Sequence, residues 1–291
     1  MVTRLLPPTG ILRFARRILG KVRNASSLPT RHAEIYSNYA EASRACDGCD
    51  YEFDQIVETV YRKTLILRET LQQGALSATP QDTQLLLGVK IAGGSSKTGT
   101  IHVLDYGGAC GAHYYTVKAA LGNTDSLRWH VVETPAMVAK AKGLENQELK
   151  FHSTLSAARE ICPTPDLVFS SGTLQCVPDP HASLQELLAI GSQYVLLNRL
   201  GLNSGSTDVF TVHTSRLSAN GPGPLPDGIQ DREVRYPFQF ISKQALDQAV
   251  LQQYAIRLHF DDASGMFQVG PELILGCGYL LEKRNGCSSC R

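Results

Sequence analysis

The sequence contains no run of the eighteen or so apolar residues that a membrane-spanning helix needs, although 43% of its 291 residues are hydrophobic. It lacks any surplus of charge: 28 Lys and Arg stand against 27 Asp and Glu, a net of +1. Its basic residues are not interleaved with aromatics, so no nucleic-acid partner is expected. A removable secretory signal is not expected either, because Arg13, Arg16 and Arg17 interrupt the apolar residues near the amino end. A charged content of 19% is ordinary for a globular protein. The length allows one large domain or two small ones.

The charges are unevenly placed. Residues 1–33 hold Arg4, Arg13, Arg16, Arg17, Lys21, Arg23 and Arg31 and no acid, so the rest of the chain carries 21 basic against 27 acidic residues, a net of −6. Within this tail Ile11, Leu12, Ala15, Ile18, Leu19 and Val22 follow helical spacing with the basic residues on other faces. Such a helix suits packing on the acidic remainder, or peripheral contact with an anionic membrane or a partner. The chain has eight cysteines. Cys46-Asp-Gly-Cys49 and Cys287-Ser-Ser-Cys290 have zinc-ligand spacing, but the second pair closes the chain, and no metal is expected. Cys110, Cys162, Cys176 and Cys277 lie in or beside apolar runs and read as small buried hydrophobes of a reducing, cytoplasmic compartment.

The most informative stretch is Thr100-Ile-His-Val-Leu-Asp-Tyr-Gly-Gly-Ala-Cys-Gly-Ala-His113. An apolar β-run that stops at Asp105 and breaks into Gly107, Gly108 and Gly111 presents backbone N–H groups and a carboxylate to a nucleotide-like ligand. The G-x-G-x-x-G spacing of dinucleotide sites is not met. Acid-x-G-x-G-x-G is met except at Ala109, which points to S-adenosylmethionine. A second strand-like run, Leu127-Arg-Trp-His-Val-Val-Glu133, ends in an acid able to accept both hydroxyls of a ribose.

With these features the chain resembles the class I S-adenosylmethionine-dependent methyltransferases. Asp166-Leu-Val-Phe-Ser-Ser-Gly-Thr-Leu-Gln-Cys-Val-Pro-Asp-Pro180 is similar to the fourth strand and following turn of that fold. More narrowly, Leu104 to Tyr115, Val131-Val-Glu133, Ser170-Ser-Gly-Thr-Leu-Gln175 and Tyr236-Pro-Phe238 resemble a family of mostly bacterial methyltransferases often encoded near surface-polysaccharide genes. The resemblance covers roughly residues 35–283. It implies an α/β, Rossmann-like, seven-stranded sheet, and a cofactor held by Asp105, Tyr106, Gly107, Gly108, Gly111, Glu133, Ser170 and Ser171. Three positions depart from the pattern. Ala109 puts a methyl where relatives often present bare backbone, Phe151-His-Ser153 lacks an acid for the adenine, and Gln175 stands where many relatives carry histidine.

The periodicity predicts a helix over 51–73, stopped by Gly74, and another over 81–92, closed by Gly93-Gly94-Ser95-Ser96. Strands are predicted at 101–105, 128–133, 149–152, 166–170, 193–198 and 254–260, with a seventh, 274–282, pairing antiparallel to the sixth. The expected organisation is a basic tail (1–33), a helical extension (34–95), the α/β domain (96–284) and a flexible end (285–291). Leu200 to Pro237, rich in Gly, Pro, Ser and Asn, reads as an irregular insertion covering the acceptor, with one short strand at Val209–His213.

Methyl transfer asks a protein to align a nucleophile and sometimes to take its proton. His113, His181 and His213 are the candidate bases, each facing the expected cleft. Gln175, Asn198 and Arg199 are the candidate acceptor contacts, and the Arg199 guanidinium suits a carboxylate or phosphate. The expected activity is methylation of a small polar acceptor such as a sugar or nucleotide-sugar. The competing expectation is a non-catalytic binding or scaffold protein that keeps the sheet.

Overall fold

A computed structural model describes residues 28–31, 33–46, 54–74, 76–96, 98–122 and 126–284. The tail helix of residues 11–22, the Cys287–Cys290 pair and Cys49 lie outside the described residues. Cys46 is described and buried.

The fold is Rossmann-like, a mixed α/β sheet with a parallel centre. It begins with a short strand β1 (Thr30–Arg31) and helices α1 (Tyr39–Arg44), α2 (Asp54–Gln72) and α3 (Pro80–Gly93). Alternation follows with β2 (Thr100–Tyr106), α4 (Ala112–Leu121), β3 (Ser126–Val132), α5 (Pro135–Ala141), β4 (Leu149–His152), α6 (Leu155–Ile161), β5 (Leu167–Ser171), α7 (Pro180–Ala189) and β6 (Tyr194–Asn203). The chain ends in β7 (Val209–Arg216), β8 (Glu233–Ser242), α8 (Lys243–Leu251), β9 (Tyr254–Val269) and β10 (Glu272–Lys283).

Local chemistry starts the helices. Thr79 and Asp82 form a reciprocal capping box at α3 with Pro80 in the first turn, and Thr134, Thr154, Asp179 and Ser242 cap α5, α6, α7 and α8. Side chains alternate between the two faces of the sheet. Val103, Leu127, Trp129 and Val131 pack with Ile56, Val57, Val60, Leu85 and Val89 of α2 and α3 on one face. Leu104, Val132, Val168 and Val195 pack with Leu184, Leu187, Leu246 and Val250 of α7 and α8 on the other.

The sheet order is β1-β9-β10-β6-β5-β2-β3-β4, with β8 joining β6 and β7 joining β8. Strands β2 to β6 run parallel, and β10 is antiparallel to both β6 and β9. The predicted strands are all present, but the expected sheet of seven is corrected to one of ten among the described residues. Three additions account for the difference: β1, and the β7–β8 hairpin, which occupies most of the segment read as irregular. Val209–His213 was expected as a strand, but Gly and Pro are dense in the connection that follows, and the composition of that turn concealed β8. Lys63 of α2 anchors the connection, donating from a buried ammonium to the carbonyls of Ser218 and Asn220, each at 2.8 Å.

Candidate active site

The chain winds outward from β2 through β3 to β4, then returns to place β5 on the other side of β2, so the strand order reverses between β2 and β5. In open α/β sheets the crevice outside the strands' carboxyl ends at such a reversal is where ligands bind. Here the register pairs Tyr106 with Ser170 and Ser171 with Asn198. Asp105 and Ser170, at the ends of β2 and β5, and Asn198, midway along β6, are therefore neighbours.

Asp105 is fully buried; its Oδ2 meets His113 Nδ1 at 3.0 Å and accepts the Trp129 indole N–H at 3.1 Å. The glycines fit around this carboxylate. A Cβ on Gly108 would lie 2.4 Å from Asp105 Oδ2, and one on Gly107 would lie 2.0 Å from Thr173 Oγ1. Gly107 and Gly111 adopt φ of 77° and 80°. Ala109 also sits at a left-handed φ of 49°, a strained position for an alanine. Gly111 precedes α4 without a side-chain cap, so the first-turn amides of that helix face the crevice uncapped by any side chain.

Glu133 follows β3 and binds the same loop. Its Oε1 accepts the Ala109 amide at 3.2 Å and its Oε2 accepts the Thr134 amide at 2.7 Å. Tyr106 ends β2 beside this loop. Its ring packs toward α7 with the hydroxyl on Ser183 at 3.4 Å, and its carbonyl accepts the Thr173 hydroxyl at 3.2 Å.

Buried side-chain polar atoms in folded proteins nearly always have partners. Among the described residues eleven such atoms have none; six of them, Asp105 Oδ1, Ser170 Oγ, Gln175 Oε1, Asn198 Oδ1 and Nδ2, and Gln239 Oε1, gather here, and the others belong to Thr59, Arg68, Ser192, Asp247 and Tyr279. These six belong to the ends of β2 and β5, the middle of β6, the turn after β5, or the strand β8, which is hydrogen-bonded to that turn through Gln239 N–H to Gln175 O at 2.9 Å. Gln175 and Asn198 are themselves buried, so neither offers an open surface. The Gln175 amide donates to the Arg199 carbonyl at 2.9 Å and positions that residue.

Arg199 is exposed in the middle of an otherwise buried strand, at a left-handed φ of 54°. Its side chain lies beside Gly172, where an added Cβ would be 3.7 to 3.8 Å from it. Among the described residues no carboxylate makes an ion pair with its guanidinium. Its charge reaches His113, Cys176, His213, Tyr236 and Asp262.

The three histidines have separate surroundings. His181 Nε2 lies 2.8 Å from Asp208 Oδ2, and Asp208 in turn accepts the Ser242 amide at 2.7 Å. That pair fastens α7 to the start of α8. His113 is opposed by burial, but the Asp105 carboxylate outweighs it and raises the imidazole above its usual pKa. His213 stands on β7 with its ring 5.1 Å from Tyr236 and 5.3 Å from Phe238. Burial first, then the charges of Arg31 and Arg199, lower its pKa, so the ring is neutral near pH 7.

His213 lines a cleft of about 330 Å³ with Arg31, Glu34, Tyr36, Thr211, Arg235 and Phe238. Residues around β1 and α1 complete this side of the molecule. Tyr36 bridges Phe210, and the Tyr39 hydroxyl donates to the Cys176 carbonyl at 2.8 Å. Arg31, Tyr36 and Arg235 were not legible as site residues. They lie about two hundred residues apart in two groups, and Arg31 had been assigned to the tail on charge alone.

No family model matches the chain. No curated protein matches it. Solved structures align with much of the chain. An S-adenosylmethionine-dependent methyltransferase from Clostridium acetobutylicum is 9% identical, with 77% of this chain and 99% of that one covered at a TM-score of 0.45. An amino pentose methyltransferase from Micromonospora echinaspora is 12% identical, with 70% and 90% covered at 0.44. A sugar N-methyltransferase from Streptoalloteichus is 11% identical, with 69% and 87% covered at 0.43.

Proposed function

We propose that the chain is an S-adenosylmethionine-dependent methyltransferase whose acceptor is a small, polar, anionic molecule such as a sugar acid or nucleotide-sugar. The observation that carries this reading is the gathering of unpartnered buried polar atoms at the reversal of the sheet, between an acid-and-glycine loop and an unpaired arginine. The donor set fits the cofactor. Asp105 Oδ1 has no partner for its lone pairs, the Glu133 carboxylate faces the glycine loop, and the uncapped amides of α4 suit a carboxylate.

When bound, the cofactor supplies an electrophilic methyl on its sulfonium. Glu133 accepts the ribose hydroxyls, and the loop from Asp105 to Gly111 holds the methionine end. Ser170 and Ser171 line the floor at the end of β5. Arg199 holds the acceptor's anionic group through its fork of donors, steadied by Gln175 beneath it and Asn198 before it. His213, neutral in the neighbouring cleft, takes the proton from the acceptor nucleophile at a ring nitrogen. The β7–β8 hairpin and the segment from β1 to α1 exclude water above the site.

Calorimetry with S-adenosylmethionine and S-adenosylhomocysteine tests the reading. Binding of either at micromolar to millimolar concentration by the folded chain supports it. Absence of binding by both overturns it and leaves the scaffold role.

A further inference from the structure

On the opposite face of the sheet from Asp105 and Trp129, under α6, three elements bring nitrogen and sulfur ligands together. His102 comes from β2, His130 from β3, and Cys162 directly follows α6. One ligand atom from each lies within 4.8 Å of the other two. Cys162 Sγ is 3.9 Å from His102 Nδ1.

The register explains the meeting. His102 pairs with Arg128 and Leu104 with His130, so His102 and His130 are diagonal neighbours on one face, and His130 and His152 are the next diagonal pair across to β4. Diagonal neighbours are about 7–8 Å apart at Cα, within reach of long side chains. The last turn of α6 then lowers Cys162 onto them, with its amide on the Ala158 carbonyl at 2.9 Å.

A fourth group orients the second. His130 Nδ1 is 3.0 Å from His152 Nε2, with the rings stacked at 5.3 Å. With Nδ1 committed to His152, Nε2 of His130 is the nitrogen left to ligate, and a hydrogen bond at the other ring nitrogen is what orients a metal-bound imidazole. His130, His152 and Cys162 are buried. Asp166 adds negative charge beside Cys162, and its Oδ2 accepts the His102 backbone amide at 2.8 Å. A buried thiol, two imidazoles and a nearby carboxylate make a poor hydrophobic core but a good cation site. The mixed N and S set, closing to the roughly tetrahedral geometry of about 2.0–2.3 Å bonds, selects zinc among the common divalent ions.

We propose that His102, His130 and Cys162 form a zinc site, oriented by His152, that ties β2 and β3 to the end of α6. The fourth position is open to water. The site is separate from the crevice and does not depend on the methyltransferase reading. It lies across the sheet from the glycine loop, so its effect is expected in the stability of the β2–β3–α6 junction.

The test uses the full chain, reduced and stripped with a chelator, then titrated with zinc or cobalt and measured by metal analysis, visible absorption and thermal denaturation. The expected result is one bound equivalent per chain, a thiolate-to-cobalt charge-transfer band, and a metal-dependent rise in Tm. Cys162→Ala and His130→Ala each lose the bound equivalent and the rise in Tm. His152→Ala keeps the stoichiometry but binds roughly 10–100-fold more weakly. A double variant, Cys287→Ser with Cys290→Ser, retains the metal. Binding that persists in a folded Cys162→Ala chain, that disappears with Cys287→Ser and Cys290→Ser, or that is absent from the parent overturns the proposal.

Discussion

Glu133 Oε1 accepts the Ala109 amide at 3.2 Å, so the residue that follows β3 grips the glycine loop that follows β2. The other oxygen takes the Thr134 amide at 2.7 Å. One carboxylate thus sets the spacing between two strand ends before any ligand arrives.

Replacing Glu133 by Ala removes the loop tether and, with it, the proposed partner of the ribose hydroxyls. A hydrogen bond to a charged group contributes roughly 1.5–3 kcal/mol, and about 1.4 kcal/mol is one decade of affinity. S-adenosylhomocysteine should bind Glu133→Ala at least about tenfold more weakly in calorimetry. Parental affinity in a folded variant contradicts the placement of the ribose.

The glycine loop should respond in opposite directions at two positions. Gly107→Ala meets both a left-handed φ and the Thr173 side chain. The strain of roughly 1–2 kcal/mol and overpacking of roughly 1–3 kcal/mol should lower stability markedly in denaturant titration. Ala109→Gly relieves a left-handed alanine and should raise stability by less than about 1 kcal/mol, because the glycine also loosens the unfolded chain. A stabilising Gly107→Ala would contradict the observed approach of Thr173.

Arg199→Asn keeps a residue that tolerates the left-handed backbone while deleting the guanidinium. Cofactor binding should be unchanged, and turnover or acceptor affinity should fall at least about a hundredfold, the equivalent of about 2.7 kcal/mol for a bidentate charged contact. Loss of cofactor binding with acceptor affinity intact contradicts the division of labour.

Lys63 is buried, and burial lowers its pKa, with Asp231 opposing. Lys63→Met should leave the carbonyls of Ser218 and Asn220 without their donor and cost about 1–3 kcal/mol per lost partner. Thermal denaturation and protease sensitivity of the β7–β8 connection measure this. An equally resistant connection contradicts the anchoring role.

The pairing of His113 with Asp105 has a defined pH signature. Because the folded state raises the histidine pKa, the pairing contributes stability that is fully present below the unfolded value of about 6.5 and is lost as pH rises through the folded value. The stability difference between the parent and His113→Gln should shrink from pH 6 to pH 8. A difference that grows over this range contradicts the assigned sign.

Much of the fold could be read locally. Thr79 with Asp82 and Pro80 announces α3, Gly74 follows α2 at a left-handed φ of 84°, and the apolar run to Asp105 defines β2. These signals act within a few residues, where capping, backbone freedom and alternation operate directly. The β7–β8 hairpin was only half legible, because Val209 to His213 alternates plainly while Glu233 to Ser242 follows a Gly- and Pro-rich connection. The turn's composition outweighed the strand it introduces.

Asp105, the glycines and Glu133 were visible because acid and glycine spacing is a property of the chain. Their orientation was not. Whether Asp105 faces Trp129, whether Tyr106 turns toward α7, and whether Arg199 stands unpaired at a left-handed φ depend on which strands lie side by side. His102 and Cys162, sixty residues apart, illustrate the same division. Sequence determined that each is a ligand-capable side chain near an apolar run. Only the sheet register and the landing of α6 decided that they meet, because contact across strands arises from pairing and packing that no local window contains.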